Sequence, residues 1–253
     1  FALSRGEGGD DQLFHDAGDP RQFIVECERH GIPQARHRLI ILGVLESEFG
    51  CDTRLPRRLA GRATMATCRD AIGDLPRVRS GLSREEDSPE RWNQFVSSAI
   101  RESWFKHIAR NGEARVADAI RTAIDRLTCP REDRGGRFIH CESSPELRPD
   151  WYKDPMLKGA CNHEARSHRS DDLHRYLFVS AYGTVHDYSP RLRDFPAALL
   201  PAHLNVGSAL DAGMFNDRFR VQLAGAPATT ITSHISKDGH YFIHFDPSQC
   251  RSM

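Results

Sequence analysis

One stretch of this chain limits its folding choices more than any other. It is Gly31-Ile32-Pro33-Gln34-Ala35-Arg36-His37-Arg38, followed by Leu39-Ile40-Ile41-Leu42-Gly43-Val44. Gly31 can take a positive φ that other residues resist. Pro33 fixes its own φ and pushes Ile32 into extended backbone. From Gln34 onward the pattern has period two, with Gln34, Arg36 and Arg38 on one face and Ala35 and His37 on the other. Residues 39–42 are apolar on both faces, which predicts a strand buried on both sides in a helix-covered sheet. Such an element has a dry inner half and a polar mouth carrying two guanidiniums roughly 6–7 Å apart. One arginine can hold a phosphate while the other reaches a base or a carboxylate, because guanidinium is planar, always charged and bidentate. The plainer alternative is a pair of surface ion pairs.

The string Gly-Ile-Pro-Gln-Ala-Arg-His-Arg ahead of an aliphatic strand resembles the eighth sequence block of the DNA cytosine-5 methyltransferases. That block is a Gln-x-Arg-x-Arg on a strand beside the active site, and Gln34, Arg36 and Arg38 fill its three positions. The resemblance implies that Arg38 helps hold a flipped cytosine, and that Arg36 contacts DNA backbone or supports the site. Residues 70–76, Asp-Ala-Ile-Gly-Asp-Leu-Pro, resemble what commonly follows this block. Arg218-Phe219-Arg220-Val221-Gln222-Leu223 and then Pro227-Ala228-Thr229-Thr230-Ile231-Thr232 are similar to the Pro-Ala-Thr-Ile string of the family's target-recognition domain. Residues 163–168, leading to Asp172, Arg175 and Tyr176, resemble a segment found in a subset of these enzymes.

The implied fold is the edge of an S-adenosylmethionine-dependent, Rossmann-like α/β domain over residues 1–45. A mixed α+β target-recognition domain follows over residues 46–253. The implied partners are double-stranded DNA and the missing catalytic half of the methyltransferase, within one parent chain or as a separate subunit. The implied setting is the bacterial cytoplasm and restriction-modification. The family's chemistry needs a cysteine nucleophile, an acid, a base and bound S-adenosylmethionine. The blocks that supply them are not found here. There is no Pro-Cys pair, since Cys129-Pro130 runs the other way, and there is no Glu-Asn-Val. The resemblance therefore covers a C-terminal part of such an enzyme. S-adenosylmethionine is expected in the parent and not on this chain alone, which is expected to be inactive by itself. Two rivals are a natural subunit of a split methyltransferase and a stand-alone DNA-binding module.

Charge bears on how DNA could be held. The chain has 253 residues with 35 basic and 35 acidic side chains, so any DNA contact must come from a local patch rather than a basic coat. The expected patch is Arg218, Arg220, Thr230, Ile231, Thr232, Ser233, His234 and Lys237. Short hydroxyl and imidazole groups can reach base edges, and the cations can clamp phosphates. Arg54, Arg57, Arg58 and Arg62 form a second basic cluster, either a solvated face or a backbone contact. Seven cysteines without regular spacing read as reduced thiols. No apolar run approaches the length of a membrane span.

Along the chain, residues 23–27 read as a strand beside residues 39–44. Residues 67–75 read as a short helix stopped by Pro76. Residues 89–110 and 113–127 read as two longer helices, with Trp92, Phe95, Val96, Ile100, Trp104 and Ile108 at helical spacing in the first and its aromatic residues expected in the core. Residues 130–160 carry turn chemistry and are expected to be a long loop. Ser170 is expected to cap a helix over 171–185, and Ser189-Pro190 to start another that ends before Pro201. Residues 219–223, 229–234 and 241–245 read as three strands. Cys141, Cys161, His163 and His168 lack a Cys-x-x-Cys pair, and His163 and His168 are one residue too far apart for a zincin helix. The plain reading is histidines that bond locally.

Overall fold

The computed structural model describes residues 20–40, 60–127, 133–142, 145–201, 218–233 and 239–253. The chain enters through β1 (Ile24–Glu26), a 3-10 turn at Cys27–His30, β2 (Gln34–Ala35) and β3 (His37–Leu39). Gly31 closes the turn with φ 85°, its N–H donating to the carbonyls of Cys27 and Glu28. A Cβ on Gly31 would lie 2.7 Å from Cδ of Arg62, which packs across the turn.

The expected neighbours do pair: β1 runs antiparallel to β3, with Val25 opposite Arg38. The single strand expected from Gln34 is in fact two. The N–H of Arg36 donates to the carbonyl of Gln34 at 2.8 Å, a three-residue turn that interrupts the period-two pattern. β2 and β3 then pair with different partners. The buried inner half is also corrected. Leu39 and Ile40 are each 64% exposed, because β1 and β3 form a two-stranded ribbon that no third strand joins among the described residues. Residues 41–44, Arg54, Arg57, Arg58 and the boundary at 45/46 lie outside the described residues.

α1 (Cys68–Ile72) follows Thr67, whose hydroxyl accepts from Asp70 N while Asp70 Oδ2 accepts from Thr67 N. This reciprocal cap defines the helix start, and Pro76 follows the end as expected. After β4 (Gly81–Leu82), Ser88 caps α2 (Pro89–Ser98) with proline in the first turn. The single helix expected over 89–110 breaks at Glu102, whose ψ of 151° is extended. A 3-10 turn at Ala99–Arg101 and then α3 (Ser103–Arg110) result. The bend directs Trp104, Phe105 and Ile108 into the same core as Trp92 and Val96. α4 (Ala114–Asp125) matches its expected span and buries Val116, Ala117, Ile120 and Ala123.

The expected loop over 130–160 carries regular structure among its described residues. β5 (Gly135–His140) pairs antiparallel with a later strand, and α5 (Pro149–Tyr152) lies in the connection. That later strand is β6 (Gly159–Glu164). Gly135, at φ 84°, admits a close approach: a Cβ there would collide with the carbonyl oxygen of His163. Gly135 and Gly136, expected in a turn, lie inside β5, because β5 pairs with β6 in a register that runs from Gly135 opposite Glu164 to His140 opposite Gly159.

β7 (Ser167–His168) runs parallel to β4, and α6 (Ser170–His186) follows. Ser170 is not the cap. The N-cap is Arg169, and the Ser170 hydroxyl donates to Glu85 at 2.9 Å. The helix expected from Ser189-Pro190 is two 3-10 turns, Leu192–Asp194 and Ala197–Leu199. Pro196 separates them, since it lacks an N–H and holds Phe195 extended. The three terminal strands reduce to β8 (Ala228–Thr229), a 3-10 turn at Gly239–Tyr241 and single bridges from Ile243 to Val221 and Ser252.

α6 is the centre of the core. Leu173, Tyr176, Leu177, Phe178, Val179 and Ala181 are fully buried, and the helix packs on α2 and α4. Burying one such side chain stabilises by roughly 1.5–3 kcal/mol. A smaller cluster of Val78, Ile139 and Ala165 sits under the β5–β6 arm. Arg79, 2% exposed, joins that arm to the helical body through Asp133 and through Asp87 at 2.7 Å. Among the described residues no helix is long and apolar enough to cross a membrane.

Candidate nucleic-acid interface

The two halves of the expected site meet at one backbone junction. β2 pairs parallel with β8, Gln34 opposite Ala228 and Ala35 opposite Thr229. The N–H of Ala228 donates to the carbonyl of Pro33 at 3.0 Å. The Thr230 hydroxyl donates to the carbonyl of Ala35 at 2.8 Å, and Arg36 Nη1 donates to the carbonyl of Ile231 at 3.4 Å. Residues about 195 positions apart are thus stitched by backbone and side chain together. Pro33 suits this place, because its fixed φ presents its carbonyl outward while it offers no competing N–H.

β8 is anchored from behind by Gln222, a buried residue. Gln222 Nε2 donates to the carbonyl of Tyr241 at 2.9 Å. Its Oε1 accepts from Thr229 N at 2.8 Å and from Thr229 Oγ1 at 3.1 Å. The carbonyls of Ala224 and Ala226 accept from Arg69 N and Cys68 N, so the loop before β8 also caps the start of α1. Sequence reasoning assigned Gln222 no role. The signal available was a lone amide between apolar Val221 and Leu223, a position where a buried polar group needs partners.

The guanidiniums are the chemically active part. Arg38 is exposed and its Nη1 turns back onto the carbonyl of His37 at 2.6 Å. Arg36 is half-buried, with its one bond to Ile231. Among the described residues neither has a carboxylate partner, so the ion-pair alternative is not seen there. Thr232 and Ser233 are exposed and Ile231 is 37% exposed. Arg218 and Arg220 are half-buried. Arg220 and Thr229 share the wall of a cleft of about 330 Å³. His234 and Lys237 lie outside the described residues.

The histidines of the alternative metal readings go elsewhere. His163 Nε2 donates to the carbonyl of Pro76 at 2.7 Å. His168 bonds Ser252 at 3.0 Å and Tyr176 at 3.2 Å. Burial, then His240 and two arginines nearby, pull His168 down to about 3. Among the described residues no group of three or more His, Cys, Asp or Glu could hold a metal ion.

No family model and no solved structure matches the chain. One curated protein does. The type II methyltransferase M.Bpa9945I of Bacillus paralicheniformis is 36% identical over 95 residues, which are 38% of this chain. The matched region spans 20% of that relative's length. Over that stretch the chain is similar to a type II methyltransferase.

Proposed function

We propose that the chain is the target-recognition part of a DNA cytosine-5 methyltransferase, joined to the segment that carries Arg36 and Arg38 at the flipped cytosine. The observation that carries this is the β2–β8 junction. It ties the Gln-x-Arg-x-Arg string to the Pro-Ala-Thr-Thr string, and among the described residues no carboxylate pairs with either arginine. A target-reading element bonded to the strand piece just before the two arginines couples sequence choice to base flipping. Arg38 supplies donors to the extruded base, Arg36 neutralises a nearby phosphate, and Thr232 and Ser233 reach toward base edges.

The parent's methyl donor is S-adenosylmethionine. The described residues do not fit that group. A dinucleotide-like cofactor cradle needs a buried strand, a glycine-rich turn and a helix N-terminus, and the described sheets are all two-stranded ribbons without that sequence of elements. This chain's own contribution is to bind, orient and discriminate. The exposed Leu39 and Ile40 are where the catalytic half continues the sheet.

Arg38→Ala in the full-length parent tests the reading. It should cut kcat by orders of magnitude with a smaller loss of DNA affinity, because it removes a group that acts mainly in the transition state. Arg36→Ala should mainly weaken DNA binding. Equal losses in kcat and affinity for Arg38→Ala, or none, would sink the proposal.

A further inference from the structure

A second cleft, of about 710 Å³, lies between α1, α4, α6 and the segment 244–251. No residue of β2, β3 or β8 lines it. Two of its lining side chains are buried polar groups with unused donors. Arg251 is 7% exposed. Its Nε donates to Gln249 Oε1 at 2.9 Å and its Nη1 to the carbonyl of Ser252 at 3.2 Å. Among the described residues Nη2 has no acceptor and no carboxylate stands within ion-pair distance of this guanidinium. His244 is 3% exposed, and its Nδ1 accepts from Asp246 N at 3.0 Å. The ring proton therefore sits on Nε2, which has no acceptor among the described residues either.

The rest of the wall is also cationic. Arg69, Arg77 and Arg126 line it with Arg251, against the carboxylates of Asp187 and Asp246. Asp246 is already engaged by Ser248 at 2.6 Å and Gln249 at 3.2 Å, with Arg77 at 3.8 Å. Burial lowers Arg251 to about 10, so it stays charged at neutral pH. A buried cation hydrogen-bonded only to neutral oxygens, with the Asp246 charge nearby but not in ion-pair contact, is costly unless an anion completes it. A tetrahedral phosphoryl oxyanion matches a guanidinium fork and an adjacent imidazole N–H. The volume is that of a nucleotide-sized ligand, and Phe245 and Leu223 offer apolar wall for a base.

We propose that this cleft binds a phosphoryl group attached to a nucleoside, with Arg251 and His244 as buried donors and Arg77 and Arg126 at the rim. The group comes either from a free mononucleotide or from a DNA backbone. Calorimetric titration of the whole chain with adenosine 5′-monophosphate, and separately with a DNA duplex, tells the two apart. The variants are Arg251→Gln and the exposed pair Arg77→Gln/Arg126→Gln, each checked for an unchanged thermal melt. Saturable nucleotide binding that both variants weaken by about tenfold or more establishes a free-nucleotide site. Duplex binding alone, weakened by the same variants, assigns the site to the backbone phosphate. If Arg251→Gln does not fold, the rim pair decides. Binding of neither ligand, or binding indifferent to the variants that fold, overturns the proposal. None of these readouts depends on methyl transfer.

Discussion

The hydroxyl of Thr230 donates to the carbonyl of Ala35 at 2.8 Å, fixing the end of β8 to the strand piece that precedes Arg36. Thr230→Val keeps the shape and removes the donor. The Ala35 carbonyl then loses a partner at a half-buried site, for a cost of about 0.5–1.5 kcal/mol by urea denaturation. In the full-length parent the same change should relax the ratio of cognate to non-cognate DNA binding. An unchanged ratio would show that the junction does not transmit target choice.

Gln222 is the more expensive residue to lose. Gln222→Leu leaves the Tyr241 carbonyl, Thr229 N and Thr229 Oγ1 without their present partner. Each stranded group costs roughly 1–3 kcal/mol when buried. Several of these are only half-buried, so about 2–3 kcal/mol in total is expected from chemical denaturation, with faster amide exchange at residues 228 and 229. Full protection of those amides would count against the anchoring role.

Arg79 bridges Asp87 and Asp133 while Trp92 Nε1 donates to neighbouring Ser80 at 3.0 Å. Arg79→Met should destabilise by about 3 kcal/mol, because breaking a buried pair strands its partners. Here the carboxylates are 23% and 38% exposed and regain some water, which holds the cost at the lower end. Limited proteolysis should then cut within the β5–β6 arm before the helical body. Simultaneous cleavage of both would show that the arm is held by other contacts.

Stability should fall with acid, beginning below pH 6.5. His168 is lowered from 6.5 to about 3, first by burial and then by neighbouring positive charge. Between those values the unfolded chain binds a proton that the folded chain refuses, so the stabilisation is complete above pH 6.5 and is lost as pH falls toward 3. One such histidine contributes a slope of roughly 1.4 kcal/mol per pH unit. Burial lowers His163 and His244 in the same direction. Melting temperature followed from pH 7 to 4 checks this, and His168→Gln should flatten the curve. A profile that is level between pH 6.5 and 4 would contradict it.

The sequence by itself determined the local elements. Thr67 with Asp70, Ser88 with Pro89, and the apolar spacing of residues 113–127 each specify a helix from signals within a few positions. Gly31 specifies its turn because only a missing Cβ tolerates both the positive φ and the overlying Arg62. The same residues, by type and order, singled out Arg36 and Arg38. What the tertiary structure decided is everything that needs a distant partner. The break at Glu102 depends on Trp104 turning into a core built by α6. The β5–β6 arm depends on pairing across a long connection, which turn residues cannot report. The exposure of Leu39 and Ile40 depends on how many strands join β3, which an alternation pattern does not count. Above all, Ala35 and Thr230 meet only when the chain has folded. A parallel pairing carries no local signal in either strand, because its hydrogen bonds are backbone groups that every residue possesses.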